Sequence, residues 1–194
     1  MVSIFSDAAA VLRARYYFRS ALTLGPRVRL WGTPLVSNFG SLYVGDRVRF
    51  SSVVSTLEIG VGPNGTLEIG DRVLVNHGTS LAATKLLRIG ARCNIGSQVI
   101  LMDNSFHGIA PDRRDEEPEP QPVVLEDNVW LAARVIVLPG VTVGKNSVVG
   151  AGSVVTRDIP PNVLAAGMPA KVIRSLETSE RSEGREAAAS RAGA

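Results

Sequence analysis

Only two histidines occur in the 194 residues, His77 and His107. Imidazole exchanges a proton near neutral pH without special tuning, so each is a candidate general base. His107 stands in the run Leu101 to Gly108, at the foot of a stretch rich in proline and acid, and His77 follows Val75 and Asn76. By spacing alone, a single histidine beside a loop is more often a surface or core residue than a base. A second group is cationic: Thr156 with Arg157, then Lys171 and Arg174. A hydroxyl with three cations is what phosphate groups call for, arginine as a fork and lysine as a point charge. The same residues also read as a solvated basic edge. Cys93 is the single cysteine, which excludes an intrachain disulfide and fits a reducing compartment. It reads as a small buried residue rather than a reactive thiol.

A period of six must position these groups. From Leu125 onward every sixth residue is aliphatic: Leu131, Val137, Val143, Val149 and Val155. The fifth place of each unit is Val129, Val135, Val141, Ser147, Ser153 and Ile159, small or β-branched. Neither a helix nor an alternating strand keeps a period of six, whereas a hexapeptide repeat does. The reading is a coil of short flat strands. Its first residues point inward, and its corners carry Gly, Asn and Asp for their permissive backbone. One coil cannot bury its inner face; stacked coils share a core. Earlier sixes run Ile69, Val75, Leu81 and, after a two-residue slip, Ile89, Ile95, Leu101. Leu101 to Leu125 is 24 residues where six would suffice, so about 18 leave the coil in an excursion, about 104–122. With both ends pinned to a regular scaffold, such a loop is expected to cover a site.

The runs Asp127 to Ala132, Leu138 to Gly144, Gly150 to Thr156, Ile159-Pro160-Pro161 and Ala166 to Arg174 together resemble the C-terminal signature of the hexapeptide-repeat acyltransferases, of the maltose and galactoside acetyltransferase type. The resemblance implies an all-β fold: a left-handed parallel β-helix with about 18 residues per turn. It also implies acetyl-CoA as co-substrate, no metal, and a homotrimer with sites between neighbours. It makes His107 the general base, although several relatives read Asp-His-x-His where this chain has Asp103 and Asn104. Asp103 is expected on the substrate side, where it orients the imidazole or is an ordinary corner residue. Asn76 stands where the family contacts the acceptor, and corner asparagine is also common for its backbone alone. Where some relatives carry an acid about eight residues later, this chain has Ala83. Ala133 and Ala151, 18 apart, would stack one coil apart and leave room for a pantetheine arm. Thr156, Arg157, Lys171 and Arg174 would gather near the coenzyme A phosphates, Arg174 stacking on Thr156 by the same 18-residue step.

Residues 1–25 read as an N-terminal helix with Phe5, Ala9, Leu12 and Tyr16 on one face, capping the coil stack. The alternative, contact with an anionic membrane surface through its arginines, is not expected. Residues 26–176 form the coil domain and 177–194 a disordered tail. Trp130 is expected to pack under the excursion. Net charge is +3, no nucleic-acid motif is present, and no apolar run reaches membrane-spanning length, so the expected setting is cytoplasmic. The function expected is O-acetylation of a sugar or other small hydroxyl compound. N-acetylation of an amino sugar or antibiotic, a hydratase of the γ-carbonic-anhydrase kind and a non-catalytic scaffold are the alternatives. The hydratase needs three histidines per metal, and the chain has two.

Overall fold

The computed structural model describes residues 4–176. Twenty short strands form three sheets of six, eight and six strands that the chain visits in rotation. One coil runs Thr66–Ile69 in the first sheet, Leu74–Val75 in the second and Ser80–Ala83 in the third, then returns to the first at Leu86–Ile89. Neighbouring coils pair in parallel throughout. The result is the β-helix expected from the hexads, a parallel solenoid of about seven turns. Its aliphatic places do what the period requires: Leu125, Leu131, Val137, Val143, Val149 and Val155 are all buried in one continuous core. Fifth places are buried too, Cys93 among them.

The register shows where the chain departs from its period. Val124 pairs with Thr142, 18 residues on, whereas Arg88 pairs with Val124, 36 residues on. The excursion is therefore one coil's worth of chain. The slip before Ile89 appears as a 20-residue coil, Glu68 to Arg88. After Ile159 the step falls to 16, Val148 to Leu164, and the chain turns back in an antiparallel hairpin of Val163–Gly167 with Ala170–Ser175. Two fifth-place serines secure this end. Ser147 Oγ accepts from the Val163 amide and Ser153 Oγ from the Gly167 amide, so hydroxyls replace methyls where the hairpin needs acceptors.

The N-terminal helix, Ile4–Tyr17, packs on strand Arg29–Gly32. Its buried face is not the expected one. Ala10 and Ala14 are buried, followed by Phe18 stacked on Phe50, while Leu12 and Tyr16 are 65% and 62% exposed. Close approach of a helix to a strand leaves room for alanine, and the larger apolar residues are turned outward. The Phe5 side chain and residues 177–194 lie outside the described residues. No helix among the described residues is long and apolar enough to cross a membrane. Trp130, expected under the excursion, is 51% exposed on the second sheet between Asn94 and Val148, away from the loop.

Candidate active site

Three sheets meet at three corners, and the candidate residues divide among them. The corner after the third sheet launches the excursion. Asp103, the last buried residue before the loop, accepts from the amides of Thr84 (2.8 Å), Lys85 (2.7 Å) and Leu86 (2.8 Å) and from the Thr84 hydroxyl (2.8 Å). Its carboxylate is fully engaged and makes no bond to His107. The corner role is the one the geometry carries, and the imidazole-orienting expectation is corrected; Asp103 still lines the cleft that His107 faces. Inside the loop, Asn104 donates to Glu117 (2.6 Å) and accepts from the Phe106 amide (2.9 Å). Lys85 pairs with Glu119 at 2.8 Å. The Gln121 amide closes the loop on the Asp103 carbonyl at 2.8 Å.

These ties shape the surroundings of His107. Its Nδ1 lies 3.0 Å from the Arg114 carbonyl. A carbonyl oxygen only accepts, so Nδ1 donates, the neutral ring is fixed in that tautomer, and Nε2 keeps its lone pair. Nε2 makes no hydrogen bond among the described residues. His107 lines a cleft of about 540 Å³ with Asn104, Leu138, Pro139 and Thr156. The sequence placed His107 and Thr156 49 positions apart, and the fold brings them to one cavity. Arg157 adjoins Thr156 at this corner, exposed.

The corner between the second and third sheets carries the other set. Ala133 and Ala151 lie one coil apart, joined by the Gly152 amide donating to the Ala133 carbonyl at 2.9 Å. Both are exposed, and their own amides make no hydrogen bond among the described residues. Asn76 and His77 belong to the same corner several coils earlier. Asn76 Oδ1 accepts from the His77 amide at 3.2 Å. His77 touches the Ser55 hydroxyl through Nδ1 and the Ser97 hydroxyl through Nε2, both at 3.1 Å. Sequence reading missed these serines, which lie 22 and 20 residues away and meet His77 only by stacking of coils of unequal length. Lys171 pairs with Ala166 beside Gly150 and so reaches this corner. Arg174 does not stack on Thr156. The antiparallel hairpin pairs it with Leu164 and carries it toward the remaining corner, so the expected four-residue cluster is not assembled within one chain.

Cys93 is buried, and its Sγ lies 3.1 Å from the Glu126 carbonyl. Burial pushes its thiol up to about 11, so it is no nucleophile at neutral pH.

Parallel hexapeptide coils with one tied excursion define a hexapeptide-repeat β-helix. The model of the bacterial transferase hexapeptide (six repeats) matches residues 122–157. The chain is 32% identical over 168 residues to the galactoside O-acetyltransferase of Escherichia coli strain K12, covering 80% of this chain and 83% of that one. It is also similar to a galactoside acetyltransferase solved in complex with coenzyme A, at 30% identity and a TM-score of 0.57, over 87% of this chain and 72% of that chain. A hexapeptide-repeat acetyltransferase from Vibrio cholerae complexed with acetyl coenzyme A gives 27% identity and a TM-score of 0.55, over 91% and 81%. The chain belongs to the hexapeptide-repeat acyltransferases.

Proposed function

We propose that this acyltransferase moves the acetyl group of acetyl-CoA to a hydroxyl of a sugar or similar small acceptor, with His107 as general base. The observation that carries the reading is the Arg114 carbonyl on His107 Nδ1, which leaves Nε2 as a proton acceptor in the cleft lined by Thr156. The acceptor hydroxyl gives its proton to Nε2 as its oxygen attacks the thioester carbonyl. The C–S bond of the tetrahedral intermediate then breaks, and the departing thiolate recovers the proton from the imidazolium. No acyl-enzyme is required, in keeping with the buried Cys93.

The donor residues support a homotrimer. Ala133, Ala151 and Lys171 stand on one side of the third sheet and His107, Thr156 and Arg157 on the other. Facing one subunit's small-residue corner against its neighbour's excursion gives the pantetheine arm two free amides and the phosphates their cations. Asn76, with an amide that both donates and accepts, then sits on the acceptor side. The setting proposed is the cytoplasm, where acetyl-CoA is made and used.

Calorimetric titration with acetyl-CoA tests the donor assignment. Binding is expected to weaken by about 1.5–3 kcal/mol when Arg157 and Lys171 are both changed to alanine, the scale of lost charged hydrogen bonds. No binding by the unaltered protein would remove the reading.

A further inference from the structure

The remaining corner, between the first and second sheets, carries neither His107 nor the two alanines. It carries arginine. Arg27, Arg47 and Arg72 occupy it in successive coils, and Arg29 and Arg49 pair with each other on the adjoining strands. These five side chains alone line a concave surface of about 490 Å³.

The fold does not ask for arginine here. Arg47 and Arg72 hold φ of 57° and 60°, the left-handed region. Further along the same corner the same conformation is held by Asn128, Asn146 and Asn162. Asparagine tolerates it and forms a ladder: Asn128 donates to Asn146 at 3.0 Å and Asn146 to Asn162 at 2.8 Å. Arginine bears the backbone strain without that compensation.

The local carboxylates do not neutralise the set. Asp46 pairs with Arg27 and lies 3.8 Å from Arg47; Asp7 lies 3.4 Å from Arg29. Asp71 accepts from the Asp46 amide. Five cations against these three acids leave two positive charges over. Arg49 and Arg72 have no carboxylate within 4.0 Å among the described residues. At Arg92, one coil on, Asp127 closes the column at 3.2 Å.

We propose that this corner is a second ligand site, separate from the transfer cleft, that binds a pyrophosphate group. Forked donors repeat along the corner at the coil spacing of about 4.8 Å, so a ligand with anionic oxygens on two phosphorus atoms can engage successive coils at once. Bidentate arginine contacts suit such oxygens. The site does not depend on the acetyl-transfer reading, because its residues share no corner with His107 or Ala151.

The test is calorimetric titration with inorganic pyrophosphate at low salt, with coenzyme A saturating. One pyrophosphate is expected per chain, bound more tightly than orthophosphate and unaffected by His107→Ala. Arg49→Gln and Arg72→Asn together should weaken it at least about tenfold, from lost charged hydrogen bonds. Arg72→Asn alone should raise the melting temperature while weakening binding, because asparagine fits the left-handed position, so loss of ligand cannot be loss of fold. The proposal is overturned if pyrophosphate gives no heat, if coenzyme A displaces it, or if the variants bind it unchanged. It is also overturned if the chain floats with phosphatidylglycerol vesicles while pyrophosphate does not bind, which assigns the arginines to a lipid surface.

Discussion

The tautomer of His107 is set by a single backbone contact. The Arg114 carbonyl, seven residues on, decides which nitrogen carries the proton. No residue type had to be specified for this, since every residue offers a carbonyl, and sequence reading could not see it. Cys93 is the opposite case, legible from its fifth place in the hexad and confirmed by burial. Its thiol is raised from 9.0 to about 11. A thiol held neutral by folding stabilises the native state below the unfolded value, and that contribution is lost as pH rises toward the folded value. Stability should therefore fall by about 1.4 kcal/mol per pH unit between the two values through this group. Urea unfolding of the protein and of Cys93→Ala between pH 8 and 11 checks this: the difference between them should narrow as pH rises, and a constant difference would refute it.

At the scale of elements, the excursion is a built structure. Asp103 fastens its root to three amides and a hydroxyl of the preceding coil. Changing it to alanine strands those donors in a buried corner, and a loss of about 3 kcal/mol is expected. Denaturant titration should show that loss, and Asp103→Ala should lower activity only in step with folded fraction. The hexads made the coils legible from Ile69 to Ile159, because the inward places there are aliphatic at every turn. The helix was legible in existence but not in orientation. Leu12 and Tyr16 follow helical spacing, yet proximity to strand Arg29–Gly32 selects the alanine face instead. Arg174 failed for a related reason, since counting by 18 assumes another coil where the chain makes a hairpin.

At the scale of the molecule, each corner has its own residues: His107 and Thr156 on one, small residues with free amides on the next, arginine on the third. The proposed transfer site would then need two chains. Sedimentation should give a trimer. A mixed trimer of His107→Ala subunits with Ala151→Trp subunits should recover activity that neither variant shows alone, because some interfaces pair an intact excursion with an intact small-residue corner. Absence of recovery in verified mixed trimers would place the whole site within one chain.

The central claim is base-assisted acetyl transfer, and steady-state release of coenzyme A from acetyl-CoA over a panel of sugars tests it most directly. The buried Cys93 adds little background to thiol detection. The protein is expected to turn over with at least one hydroxyl acceptor, and His107→Ala should lose about a hundredfold to ten-thousandfold in kcat with acetyl-CoA binding unchanged. Equal turnover by His107→Ala would contradict the account.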